Sequence, residues 1–152
     1  MMTTLVFIWS LLLAGVTSPQ DPMQSQDLQI VNQEIVRRGF SPNVYFDYDS
    51  SALSDNAKSQ LGRNAALLKS EPQLLVMIAG NCDERGTEEY NLGLGARRAS
   101  AVQQYLTSLG VDASGLRTVS YGEERPVCTA SNEGCWSQNR RGAMVITGRS
   151  GS

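Results

Sequence analysis

Apolar and polar positions follow two different periods along this chain, and the changes of period mark its elements. Val44 to Tyr48 reads as a first strand, and the compact apolar run Leu74 to Ala79 reads as a second, buried one. Between them Ser54 caps a helix that carries Ala57, Leu61, Ala65 and Leu68 on one face and is ended by Pro72. After the second strand, Thr87 is the N-cap of a longer helix. Glu88 and Glu89 occupy its first turn, where the macrodipole favours anions, the periodic pattern runs to Leu109, and Gly110 supplies the stop. Leu116 to Tyr121 and Gly142 to Thr147 read as two further strands, and Leu28 to Arg38 predicts a short helix ahead of them all. The order β-α-β-α-β-β, without internal repeats, predicts an α+β fold. Such a chain can pack two helices on one face of a mixed four-stranded sheet, as a two-layer sandwich.

The N-terminal part reads differently. Leu5 to Val16 is an apolar run interrupted mainly by Ser10, which suits the core of an export signal and is too short to span a bilayer. Residues 1–18 are therefore expected to be a cleaved signal peptide, although no Lys or Arg precedes the run and Pro19 sits beside the candidate cleavage positions. Thr17 to Gln26, rich in Gln, Ser, Pro and Asp, has the composition of a flexible tether. The expected organisation is a signal over 1–18, a tether with its short helix over 19–40, and one folded domain over 41–149.

Charge and composition narrow the function. With 13 Lys and Arg against 15 Asp and Glu the net charge is -2, and no basic face is evident that could neutralise phosphates, so nucleic acid is not an expected partner. The chain contains no histidine, which excludes a histidine-dependent triad and any zinc site that needs one; no metal or other cofactor is expected. Cys128 and Cys135 bracket a polar loop, and a bridge between them in an oxidising compartment would stabilise the chain by about 2.5 kcal/mol. Two reduced surface thiols are the alternative.

The stretch with most chemistry is Gly80 to Ala99, GNCDERGTEEYNLGLGARRA, an acidic turn presented at the end of the second strand. Asn91, Leu94 and Arg98 recur at helical spacing, so they share a face above Asp83, and a carboxylate and a guanidinium would then flank one pocket. Gly93 and Gly95 each cost a helix about 0.8 to 1 kcal/mol relative to Ala. Either a backbone or ligand approaching closely, or tight packing on a neighbouring element, must compensate. Cys82 is the odd thiol beside Asp83 and Arg85; it is either a nucleophile or a small residue packed at a strand end, and the lack of a histidine base favours packing.

The patterns C-D-E-R-G-T, E-Y-N and L-G-x-R-R-A resemble the OmpA-like peptidoglycan-binding domain, and within that family the peptidoglycan-associated lipoproteins. The likeness extends from Val44-Tyr45-Phe46-Asp47-Tyr48-Asp49 through Val119-Ser120-Tyr121-Gly122 and Arg125-Pro126 to Gln138-Asn139-Arg140-Arg141, about one hundred residues without a large gap. It implies a non-catalytic protein of the periplasm, or of the periplasmic face of the outer membrane, that links wall and outer membrane in the manner of the Tol-Pal system. The ligand implied is peptidoglycan, held by the meso-diaminopimelate of its stem peptide.

The resemblance carries Asp83 onto the aspartate that binds the ligand ammonium and Arg98 onto the arginine that binds its carboxylate, with Asn91 holding ligand or loop. Asp49 borders the implied pocket, Leu94 lines it, Cys82 packs beside it, and Asn139 and Arg140 complete the rim. TolB is a partner implied by the resemblance alone, because no motif for it stands out on this chain. Two features depart from the pattern. Asn81 stands where the family usually has His, which removes a titration near neutral pH. Val16 follows Leu13-Ala14-Gly15 where a lipobox would place the lipidated cysteine, so no acyl anchor is expected. The competing readings are a Tol-system adaptor with mainly protein ligands and a thiol-dependent wall hydrolase built on Cys82.

Overall fold

The computed structural model describes residues 25–151. The export signal expected over 1–18, and the tether as far as residue 24, lie outside the described residues. The elements follow as α1 (Ser25–Arg37), β1 (Asn43–Tyr45), α2 (Asp55–Ser70), β2 (Leu74–Asn81), α3 (Glu88–Ser108), β3 (Leu116–Gly122), α4 (Glu133–Asn139) and β4 (Arg141–Arg149). The four strands form one sheet in the order β1-β4-β2-β3. Its β1–β4 and β4–β2 pairs are antiparallel and β2–β3 is parallel, so the sheet is mixed and the fold is α+β.

Local chemistry explains the helix ends. Ser54 accepts the Ala57 N–H and Thr87 accepts the Tyr90 N–H, so both expected N-caps relieve an orphan donor of their helix. Gly110 follows α3 with φ +96°, a left-handed conformation that costs glycine little. On β4, Met144 and Ile146 are buried while Val145 and Thr147 are exposed, the period-two pattern of a sheet covered on one face. Val76 and Ile78 of β2 meet Leu61, Ala65 and Leu68 of α2 and Ala99, Val102 and Leu106 of α3 in a single core.

The α3 helix reaches the sheet through Gly95, whereas Gly93 meets only the Arg97 side chain of its own helix. A Cβ on Gly80 would overlap the Gly95 carbonyl, and one on Gly95 would collide with the Ser120 hydroxyl, so backbone lies directly on backbone where α3 crosses β2. The same hydroxyl donates to the Leu92 carbonyl at 2.7 Å and ties β3 to the helix. Close packing on a neighbouring strand is thus what offsets Gly95 within α3.

Three elements differ from the sequence-based expectation. The first strand ends at Tyr45 instead of Tyr48, because the next carbonyls are taken by side chains: Phe46 O accepts Arg140 Nε at 2.9 Å and Asp47 O accepts Arg98 Nη2 at 3.0 Å. Helix α4 forms where a plain polar loop was expected, with Asn132 as its N-cap accepting the Cys135 N–H at 3.0 Å. The expected short helix begins at Ser25 and packs Ile35 into the core. Because β1 is so short, the β1-side edge of β4 has no strand beside it past Ala143 among the described residues, although the Met144 N–H still reaches the Pro42 carbonyl at 2.7 Å. There Asn32 of α1 takes the Ile146 N–H at 2.9 Å and donates to the Ile146 carbonyl at 3.0 Å.

The glycine contact predicts two opposite outcomes in urea or thermal unfolding. Gly80→Ala should destabilise the protein by about 3 kcal/mol, since the obstructing atoms are backbone. Gly62→Ala, in the middle of α2 with nothing within 4 Å of its would-be Cβ, should stabilise it by roughly 0.5 to 1 kcal/mol.

Candidate functional site

Strand β2 delivers Cys82 and Asp83 into a turn that α3 then closes. The Asp83 carboxylate folds the turn onto itself: Oδ1 accepts the Arg85 backbone N–H at 3.0 Å and Arg85 Nε at 3.1 Å, and Oδ2 accepts Arg85 Nη2 at 2.8 Å. From α3 the Asn91 amide donates to the Asp83 carbonyl at 3.3 Å and the Arg85 carbonyl at 3.0 Å. Cys82 Sγ donates to the Asn91 carbonyl at 3.3 Å, which ties the strand end to the helix. Sheet pairing also shifts here, from Gly80–Ser120 to Asn81–Gly122, an irregularity of the kind that re-aims side chains at a strand end.

Arg98 closes the other side. It is 1% exposed, yet among the described residues no carboxylate stands at salt-bridge distance from its guanidinium. It donates instead to three carbonyls, Ser50 at 2.8 Å, Asn81 at 2.9 Å and Asp47 at 3.0 Å, and lies 5.3 Å from the centre of the Phe46 ring. The segment after β1 is thereby folded against β2. Asp49, at φ +53°, ends that segment with its carboxylate accepting the Tyr90 hydroxyl.

These pieces enclose an open pocket of about 340 Å³. Asp49, Cys82, Asp83, Asn91, Leu94 and Arg98 line it, which brings six of the residues singled out in the sequence to one place. Tyr48, Arg85, Gly86 and Tyr90 line it as well, and none of them was assigned a role from sequence. The signal for Tyr48 and Arg85 was present, since both fall inside the quoted motifs. Asn139 and Arg140 do not line this pocket. Asn139 is used on the loop before α4, where its Oδ1 accepts Val127 N at 2.8 Å and Cys128 N at 3.2 Å and its Nδ2 donates to Cys128 O at 2.7 Å. Arg140 sends Nη1 to within 3.5 Å of Asp83 Oδ2 while Nη2 holds Glu133 at 2.7 Å.

The electrostatics follow from burial and these bonds. Burial on its own raises Asp83, but the side-chain and backbone hydrogen bonds from Arg85 outweigh it and leave the carboxyl below its ordinary value. Burial pushes the Cys82 thiol up, which withholds the thiolate that a nucleophile needs. Burial likewise draws the Arg98 guanidinium down from its usual value. A hydrogen bond to Asp49 raises the Tyr90 hydroxyl and keeps it a donor. The pocket therefore holds an ionised carboxylate and a buried guanidinium.

Residues 45–140 match the OmpA family. The chain belongs to the OmpA family. Among relatives, the peptidoglycan-associated lipoprotein of Mesorhizobium japonicum is 41% identical over 146 residues, covering 91% of this chain and 87% of that protein. The peptidoglycan-associated lipoprotein of Brucella melitensis is 48% identical over 105 residues, 69% of this chain, and the matched part is 62% of the relative's length. The crystal structure of the peptidoglycan-associated lipoprotein from Burkholderia pseudomallei superposes with a TM-score of 0.68 at 46% identity, over 70% of this chain and 90% of that one. The OmpA-family match begins at the last residue of β1 and ends at Arg140, so it contains every residue that lines the pocket.

Two outcomes follow for this domain. Cys128 and Cys135 are bridged and Cys82 is a buried free thiol, so non-reduced denatured protein should show one reactive thiol, and reduction should lower the unfolding temperature, by about 2.5 kcal/mol in stability. The second concerns pH. Asp83 has a lowered carboxyl, so its contribution is fully present above the unfolded carboxylate value and is lost as pH falls through the folded one. The stability difference between wild type and Asp83→Asn should therefore narrow steadily on acidification, as read by denaturant titrations at a series of pH values.

Proposed function

We propose that this chain is a non-catalytic, peptidoglycan-associated protein of the cell envelope, acting on the periplasmic side of the outer membrane, that holds the wall by its diaminopimelate stem peptides. The observation that carries the reading is the placement of Asp83 and Arg98 in one pocket. The side-chain end of meso-diaminopimelate bears an ammonium and a carboxylate together, and a site for it needs one anion and one cation at short range. Arg98 uses three of its five N–H groups on carbonyls, which leaves two that no carbonyl engages. Asp83 offers the anion for the ammonium, and Leu94 and Tyr90 supply apolar wall between them. The names of the relatives point to the same wall polymer.

Sedimentation with purified sacculi tests this. Wild type should pellet with diaminopimelate-type wall and poorly with lysine-type wall, whose side chain lacks the second carboxylate. Asp83→Asn should lose about 2 to 5 kcal/mol of binding, because it leaves the ligand ammonium unmatched, and Arg98→Lys should also pellet less, because an ammonium with three donors cannot hold the three carbonyls and a ligand carboxylate at once. Lys is used at position 98 because removing the whole side chain would also free three backbone carbonyls. Undiminished pelleting of both folded variants, or equal pelleting with both walls, would remove this assignment.

A further inference from the structure

Asp83 is already occupied. A carboxylate has about four acceptor positions, and here Oδ1 takes two Arg85 N–H groups while Oδ2 takes a third and faces Arg140 at 3.5 Å. Arg85 is held there from both faces: its guanidinium carbon lies 4.0 Å from the centre of the Tyr48 ring and 4.0 Å from that of Trp136. The four charges close into a ring. Asp83 meets Arg85 at 2.8 Å, Arg85 faces Glu133 at 3.9 Å, Glu133 holds Arg140 at 2.7 Å, and Arg140 returns to Asp83.

Trp136 and Glu133 lie on α4, seven residues long and too short to hold its place by helix formation alone. Its position is set by the Cys128–Cys135 bridge, by Asn139 on the loop backbone, and by Glu84, which accepts from Trp136 Nε1 at 3.1 Å and from the Ser131 hydroxyl.

We propose that Arg85 is an internal competitor for the ligand ammonium that sets the affinity threshold of the pocket, with Trp136 and Glu133 as positioning residues that seat it. The inference rests on the reading of Asp83 and Arg98 as the wall-binding pair. A guanidinium bonded side-on and stacked between two rings outcompetes a lone amine for Asp83. A ligand whose adjoining carboxylate reaches Arg98 gains a second charge-assisted contact, and only such a ligand displaces it. The freed guanidinium keeps a counter-charge, since Glu133 is exposed and already faces it. Both kinds of ligand bear the same displacement cost, so Arg85 leaves the ratio of their affinities unchanged and instead raises the affinity that either must reach to bind, although it binds neither group of the ligand.

The pH dependence distinguishes this role from plain support of the turn. Asp83 is faced by Glu84 and Arg85 from its own turn, by Arg140 ahead of β4 with Glu133 behind it, by Cys82 at the strand end and by Arg98 from α3. The Arg85 bonds are what hold its carboxyl down against burial, so removing them moves the acid limit of ammonium binding to higher pH while freeing the carboxylate at neutral pH.

The test is calorimetric titration of the full chain with soluble stem tripeptides ending in meso-diaminopimelate or in lysine, from neutral pH down through the carboxylate range. Arg85→Met should bind the diaminopimelate tripeptide about threefold to tenfold more tightly at neutral pH, bind the lysine tripeptide measurably, and lose both at a higher pH than wild type. Trp136→Ala should shift all three readings the same way by less, and Trp136→Phe, which keeps a ring against the guanidinium, should return them towards wild type. Weaker or unchanged neutral-pH binding by folded Arg85→Met, or a gain confined to one of the two tripeptides, would overturn the proposal. Asp83→Asn separates the two levels: if it binds the diaminopimelate tripeptide like wild type, the pocket assignment itself fails, whereas if it loses binding and Arg85→Met behaves as wild type, only the competitor fails.

Discussion

The burial of Arg98 is the constraint on which the rest of this site depends. An ionised group removed from water must recover its hydration from the protein, and here the whole repayment comes from backbone carbonyls of two segments, residues 47–50 and the end of β2. Those carbonyls can point inward only if the chain leaves the sheet after Tyr45. One side chain of α3, with Arg140 beside it, thus decides where β1 stops, how the 46–50 segment runs, and that Tyr48 and Asp49 arrive beside Asp83. The glycine contact of Gly80 with Gly95 is the complementary requirement, since a guanidinium three residues further along α3 reaches Asn81 only because the helix backbone lies against the strand.

Much of the scaffold was readable because it is encoded locally. Ser54 and Thr87 announce their helices within four residues, and the alternation along β4 needs no partner to be seen. The pocket residues of α3 were legible for the same reason, since helical spacing alone puts Asn91, Leu94 and Arg98 on one face. What escaped is encoded at long range. The early end of β1 is decided by two arginines, Arg98 and Arg140, some fifty and some ninety positions away. Helix α4 is too short to leave a periodic signature, although Asn132 and Glu133 form a readable cap. Asn139 sits inside a recognisable motif, and its side chain nevertheless serves the loop, because a motif preserves a residue without stating which neighbour it serves.

The bridge and the free thiol divide the cysteines by function. Cys135 enters α4 at its first turn and ties the segment that carries Trp136 and Glu133, so the covalent link bears on the charge ring around Asp83 at one remove. Cys82 lies within the pocket wall, with its thiol raised and already bonded to the Asn91 carbonyl. In the finished fold its raised thiol lacks the ionisation to attack the bridge, although Cys82 and Cys128 line one small cavity, so the two kinds of sulfur chemistry are kept apart by protonation.

Asn32 has a consequence for behaviour in a crowd. Among the described residues no strand lies beside the outer edge of β4 past Ala143, and an uncovered edge of that length is a template on which a second molecule can add its own strand. At Ile146 one side-chain amide occupies both the donor and the acceptor that such an intruder would need. Copies concentrated side by side on a surface would meet a closed seam there, and association between them would have to use some other part of the molecule.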